Sequence, residues 1–149
     1  MNVNTGPNNT IMLWSFLVLL ALFSCSRQPS YPPAPQKGQD IAIEVSSLEA
    51  DVPKFYTYHF QGKSINYFLL KIDNKVLSFL DACVTCYTHN QGYRYDDGYV
   101  TCRACGMRFS VYKLEKGIGG CYPIRIEGRM DRGNYLIPVA TLEKMADKF

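Results

Sequence analysis

The sequence predicts a small, mainly β domain, an antiparallel meander joined to a cysteine-built metal site and closed by one C-terminal helix. Three observations predict it. Runs rich in β-branched and aromatic residues at 55–60, 65–72 and 76–80 are separated by turn-like stretches at 61–63 and 73–75, the signature of consecutive antiparallel strands. Cys83, Cys86, Cys102 and Cys105 follow the pattern C-x2-C-x15-C-x2-C, within the spacing of a four-thiolate site. The segment 141–148 has Thr141 at its start and Lys148 near its end, the marks of a short capped helix. Two residues between paired cysteines let one tight turn aim both sulfurs at a single ion, so the pairs face each other like jaws. This is a double knuckle of zinc-ribbon or rubredoxin-like type.

Taken in order, the chain opens with an apolar run at 11–24 that ends LALFSC. As a helix its roughly 14 residues span about 21 Å, against about 30 Å of bilayer hydrocarbon. That is short for a spanning helix and right for the core of an export signal. Leu22, Phe23, Ser24 and Cys25 resemble a lipobox, which makes Cys25 the expected lipidation site. An uncleaved signal anchor and a simple secreted form are the alternatives, and all three export the domain. Residues 1–25 are thus expected to be signal peptide and lipobox. Residues 26–39, with prolines at 29, 32, 33 and 35, are expected to be an extended tether of about 40 Å at roughly 3.1 Å per residue.

The folded domain is expected at 40–149. Ile41, Ile43 and Val45 alternate with polar or small residues, as in a half-buried strand. The last meander strand delivers Cys83. Between the jaws, 93–95 and 99–101 flank Asp97-Gly98, a favoured hairpin dipeptide. A strand is expected at 108–111. Gly117, Gly119 and Gly120 form a loop that carries Cys121 back, and two strands at 124–126 and 135–139 are joined by a turn at 128–134. Gly106, directly after Cys105, can take positive φ and turn N–H groups toward the sulfurs; Tyr87 holds that place in the first jaw.

Composition narrows the function. The 149 residues carry a net charge of only +3 with no block of like charge, which gives no reason to expect nucleic acid as a partner. No Gly-rich phosphate loop and no Ser/His/Asp arrangement occurs. Neither cysteine pair is followed by histidine, as haem attachment in its usual form needs. With Cys25 lipidated, five thiols remain, and five cannot all pair as disulfides. A disulfide within one C-x2-C contributes only about 2 kcal/mol, whereas a tetrathiolate metal contributes roughly 10–16 kcal/mol of apparent binding energy to folding. The metal is the better staple. Its ligands are expected among Cys83, Cys86, Cys102, Cys105 and Cys121, the last as alternative ligand, redox thiol or buried apolar neighbour. His89, three positions after Cys86, could replace one thiolate or be merely solvated, with His59 a weaker candidate. Asp81 either caps the first jaw or only ends its strand. Tyr87, Tyr93, Tyr95, Tyr99, Tyr112 and Tyr122 serve as core or as a docking face.

The succession Asp81-Ala82-Cys83, Cys86-Tyr87, Gly92-Tyr93, Cys102, Cys105-Gly106, Arg108-Phe109, Gly119-Gly120-Cys121 and Pro123 resembles the FtrD-like membrane iron–sulfur family. The likeness covers roughly residues 40–149. It implies an exported or membrane-linked iron–sulfur cluster or mononuclear iron centre, associated with bacterial ferrous-iron transport. Its partners would be an iron-transport permease or redox partner, and its location the non-cytoplasmic side of the cell envelope, the periplasm in a two-membrane cell. Many members carry several transmembrane helices before this domain; this chain has only the short leader.

Three function classes follow. The first is an electron-transfer or redox-sensing protein, in which four thiolates hold iron. The second is a structural zinc ribbon serving as an envelope adaptor, since spacing does not separate iron from zinc. The third, a thiol–disulfide oxidoreductase, needs its C-x2-C at the start of a helix, whereas both pairs here sit among strands and turns. The first two classes are not enzymes.

Overall fold

The computed structural model describes residues 28–116 and 120–149. The expected export leader, Cys25, Gly117 and Gly119 lie outside the described residues. The fold is mostly antiparallel β with one short C-terminal helix. Its strands are β1 (Gln36–Lys37), β2 (Asp40–Glu44), β3 (Lys54–Phe60), β4 (Lys63–Ile72), β5 (Lys75–Cys83), β6 (Tyr93–Asp96), β7 (Tyr99–Cys102), β8 (Arg108–Ser110), β9 (Pro123–Ile126), β10 (Arg129–Asp131) and β11 (Asn134–Pro138). They form three sheets, ordered β1-β2-β11-β10, β3-β4-β5-β9 and β6-β7-β8. The expected meander is β3-β4-β5, with Tyr56 opposite Tyr67 and Phe68 opposite Phe79. Gln61-Gly62, Asp97-Gly98 and Arg132-Gly133 each turn a hairpin with positive φ at both residues, the turn that matches strand twist.

The meander sheet has a hydrophobic cluster on each face. Because side chains alternate across a strand, β4 sends Ile65, Tyr67 and Leu69 to one cluster, with Ile41, Ile43, Tyr135, Ile137 and Leu142. It sends Phe68 and Leu70 to the other, with Phe79, Tyr93, Val100 and Phe109. A strand covered on both faces reads as a continuous apolar run rather than an alternating one. The same pleat governs β5. Leu80 and Ala82 join the first cluster, while Phe79 and Cys83 join the second, and Asp81 lies between them in register. The meander thereby delivers Asp81 and Cys83 to the face covered by β6-β7-β8.

Several expectations are corrected. From Gln28 on, the stretch read as a tether lies against the domain. Gln28 donates to Ser64 O at 2.8 Å, Tyr31 N to Thr57 Oγ1 at 2.9 Å, Thr57 N to Pro32 O at 3.2 Å, and Asn66 Nδ2 to Pro29 O. The Tyr31 ring stacks on Phe55 with centroids 4.9 Å apart. Polar Thr57 and Asn66, buried on the strands, are thus satisfied by the proline-rich segment, which cannot pair with itself. The stretch 128–134, read as a turn, contains β10, all of whose residues are exposed. Val111 leaves the expected strand and opens a 3₁₀ segment, Val111–Lys116, that buries Val111 and Leu114 three positions apart. The helix α1 is Val139–Glu143, with Pro138 at its N-cap, no side-chain cap bond and a 3₁₀ turn at Ala146–Lys148. Val139 N bonds Gln39 O at 2.9 Å, so the neighbouring chain satisfies that first N–H and Thr141 is not the cap. Among the described residues no helix is long and apolar enough to cross a membrane.

The two-faced burial of the meander makes its centre the costliest place to leave a void. Phe68, wholly buried, is expected to cost about 3–5 kcal/mol on replacement by alanine. Tyr112, 62% exposed, is expected to cost within about 0.5 kcal/mol. Denaturant titration of F68A and Y112A checks the contrast.

Candidate metal centre

Strand β5 ends at Cys83, which lies opposite Pro123 on β9 after a register shift that begins at Phe79. Val84 N continues the pairing with a bond to Tyr122 O at 3.1 Å. Cys83 and Cys121 therefore face each other across two strand ends, with their sulfurs 3.0 Å apart. The first knuckle closes through Cys86 N to Cys83 O at 3.2 Å, and continues into a 3₁₀ turn at Tyr87–His89. The second knuckle leaves the end of β7. Gly106 N donates to Cys102 O at 2.9 Å, Cys102 N to Met107 O at 2.9 Å, and Gly106 takes φ +74°. Gly106 takes the expected positive φ; its own N–H serves the Cys102 carbonyl, and it is the Met107 N–H that turns toward a sulfur, that of Cys105.

The sulfurs of Cys83, Cys86, Cys102 and Cys121 all lie within 4.8 Å of one another. Cys105 stands at the side of the group, its sulfur 3.4 Å from Cys121. All five thiols are free; no two are joined as a disulfide. Cys83, Cys102 and Cys121 are buried, Cys86 is half-buried and Cys105 is exposed. The four sulfurs that meet this mutual distance thus include Cys121, whereas the spacing argument put Cys105 in the four-thiolate pattern. His89 is exposed and His59 is exposed on β3, its ring beside Ser64. Neither joins the sulfur group.

The electrostatics of the cluster favour a bound cation. Burial pushes each of these thiols up. For Cys83 it is outweighed by hydrogen bonds from the Thr85 side chain, Cys121 and the Thr85 backbone and by the nearby Tyr93 hydroxyl, which bring it down to about 6. For Cys105 it is outweighed by the Met107 N–H and by neighbouring thiols, so its pKa also falls. Cys102 is pushed up to about 12 by burial and by Cys105, against bonds from the Cys105 and Ala104 N–H groups. Cys121 is pushed up by burial and by Cys83 and Cys105. Adjacent sulfurs cannot all carry charge, so proteins alone would hold some as thiols. A bound metal removes that conflict and deprotonates its ligands outright.

A buried polar atom tests the fit. The Tyr93 hydroxyl is buried with no well-formed hydrogen bond among the described residues. Burial and the neighbouring Cys83 sulfur push its pKa up. A neutral thiol is a weak acceptor, whereas a metal-bound thiolate is a good one. Together with the knuckle N–H donors, this arrangement fits a thiolate-held metal.

Asp81 does not cap the first jaw. It is 2% exposed, accepts from Tyr93 N at 2.6 Å through Oδ1 and from the Tyr31 hydroxyl at 3.2 Å through Oδ2. Burial pushes its carboxyl up to about 7, against the pull of those two donors and of Arg103. Asp81 thus pins the start of β6 to β5. Arg103 adds a second tie, its Nε donating to Tyr93 O at 2.9 Å and its backbone N to Gly92 O at 2.9 Å. Tyr31 and Arg103 were not singled out by sequence; Tyr31 lay in the presumed tether, and no spacing marks either. Of the tyrosines, Tyr93 is core, while Tyr99, Tyr112 and Tyr122 are exposed.

These features define a small β domain with a cysteine cluster, built from two knuckles and a returning strand, that could hold a metal. The family described as membrane iron-sulfur containing protein, FtrD-like, matches residues 48–149. The chain belongs to that family. No curated protein and no solved structure matches it.

Gly92 and Gly98 both sit at positive φ, at +63° and +77°, but only at Gly92 would an added Cβ run into the Asp81 carboxylate; Gly98 faces open space. G98A is expected to cost about 1–2 kcal/mol from left-handed strain alone. G92A is expected to cost clearly more and to lower metal content, because the clash displaces the Asp81 tie beside Cys83. Thermal unfolding and metal-to-protein ratio on the two variants check the difference.

Proposed function

We propose that this protein is an exported, membrane-anchored iron–sulfur protein that transfers electrons in the bacterial cell envelope in support of an iron-transport system. The single observation that carries the reading is the gathering of free sulfurs from three separate segments within 4.8 Å of one another, in a chain of an iron–sulfur family. Iron held by thiolates supplies a one-electron couple whose potential depends on hydrogen bonds to sulfur and on exposure. Cys83, Cys86, Cys102 and Cys121 would hold it, with Cys105 beside them as a fifth thiol able to substitute. The Thr85, Ala104, Cys105 and Met107 N–H groups direct hydrogen bonds at the sulfurs, and Tyr93 and Val100 keep water from the inner side. Cys86 and Cys105 leave the outer edge accessible. Exposed Val84, Met107 and Tyr122, each beside a cysteine or its knuckle, give a redox partner an apolar rim to contact. The leader at 11–24 and Cys25 would supply export and a lipid anchor.

The second reading is a structural zinc ribbon acting as an envelope adaptor. What favours it is the donor set itself, four mutually close cysteine sulfurs, the set that structural zinc sites use. A thiol–disulfide exchange role is disfavoured because each C-x2-C occupies a turn that ends a strand.

Metal analysis and an absorption spectrum on protein purified without oxygen discriminate. The iron reading predicts bound iron and visible sulfur-to-iron absorption that bleaches on reduction. Colourless protein with one zinc per chain would establish the adaptor reading instead. Chelation is expected to destabilise the fold by several kcal/mol in either case, within the roughly 10–16 kcal/mol scale of structural thiolate sites.

A further inference from the structure

We propose that the cavity beside the second knuckle is a binding site for a phosphate-type oxyanion. The cavity encloses about 380 Å³ and is lined by Pro29, Gln91, Arg94, Thr101, Cys102 and Arg103. No acidic side chain lines it. Arg94 on β6 and Thr101 on β7 are direct cross-strand partners, so the guanidinium and the hydroxyl come from one hairpin. Arg94 takes part in none of the ion pairs among the described residues. Arg103 spends its Nε on Tyr93 O, which fixes the guanidinium against the knuckle, where it also interacts with the Tyr31 hydroxyl and the Asp81 charge while lining the cavity. Two guanidiniums and a hydroxyl lining one cavity suit an oxyanion, which exposed Arg94 can grip through its planar fork and Arg103 can attract by charge.

The site borders the metal centre, since Cys102 belongs to both. It also borders the chain's entry. Pro29 forms one wall and its carbonyl is held by Asn66. Cys25 lies four residues earlier, and four residues reach at most about 14 Å. A lipid on Cys25 would bring headgroup phosphates within reach of Arg94 and Arg103. Headgroup phosphate and free phosphate present the same chemistry; only the headgroup source rests on the anchor reading above.

The test uses the full, metal-loaded chain in non-ionic detergent, titrated with inorganic phosphate by calorimetry and by the amide signals of Arg103 and Gly106. Saturable binding is expected, weakened about tenfold or more in R94Q/R103Q, as loss of charge-assisted bonds implies. R94Q alone, whose side chain makes no bond that the fold needs, is expected to weaken it severalfold, and K75Q to leave it unchanged. A second arm places the chain in phosphatidylcholine discs with or without phosphatidylglycerol, free of phosphate. If the headgroup is the source, the phosphatidylglycerol discs move the same amides and compete with added phosphate. If discs of both compositions are silent while phosphate still binds, the site stands and its oxyanion comes from solution. Absence of a saturable response to phosphate and to phosphatidylglycerol overturns the proposal. So does an equal response in the double variant, or an effect of the double variant confined to metal affinity, which would make the arginines counter-charges to the thiolates.

Discussion

Five sulfurs share a space that their charges cannot share. The Cys83 and Cys121 sulfurs stand 3.0 Å apart, and Cys105 is 3.4 Å from Cys121. Backbone and hydroxyl donors pull Cys83 and Cys105 toward the thiolate while burial and neighbouring charge hold Cys102 and Cys121 as thiols. A divalent or trivalent cation is the economical resolution, because it stabilises every thiolate it touches at once. Oxidation to disulfides would resolve the charge too, but would leave one thiol of five unpaired and would pull the knuckles into a different shape.

The rest of the architecture exists to bring those sulfurs together from far apart in sequence. β5 delivers Cys83 on the pleat face it shares with Phe79 and Asp81. The β6-β7 hairpin delivers Cys102, and the strand pairing of β5 with β9 returns Cys121. Asp81 ties the first two deliveries, reaching from β5 to Tyr93 N at the start of β6. Gly92 is the residue that lets the carboxylate come so close. Tyr31, from the segment that leads in from the N-terminus, completes the ring of donors around Asp81. The segment from Gln28 to Tyr31 is therefore part of the support of the sulfur cluster.

Much of this was legible in sequence, and the reasons divide cleanly. The meander strands carry strong β-branched and aromatic runs, and Asp97-Gly98 demands a tight hairpin, so local chemistry determined both. Knuckle spacing named the cysteines. What local chemistry could not carry was pairing over long range. β1 is two exposed residues and β10 three, with no inward face to leave a pattern. Proline-rich 28–35 reads as free chain because its partners, Thr57 and Asn66, are polar residues hidden on strands. Thr141 has the chemistry of a cap, but Gln39 O takes the N–H of Val139 before the hydroxyl is needed. For the sulfurs, spacing treats Cys102 and Cys105 as equals; only the fold shows Cys102 inward, Cys105 outward and Cys121 between the knuckles.

Whether the sulfurs surround a metal is decided most directly by X-ray absorption at the metal edge of the purified chain, compared with C105S and C121S. The account predicts a shell of four sulfurs at about 2.3 Å, retained in C105S and reduced or refilled by Cys105 in C121S. A shell of oxygen and nitrogen donors, or protein with no metal and its cysteines bridged in pairs, would contradict it.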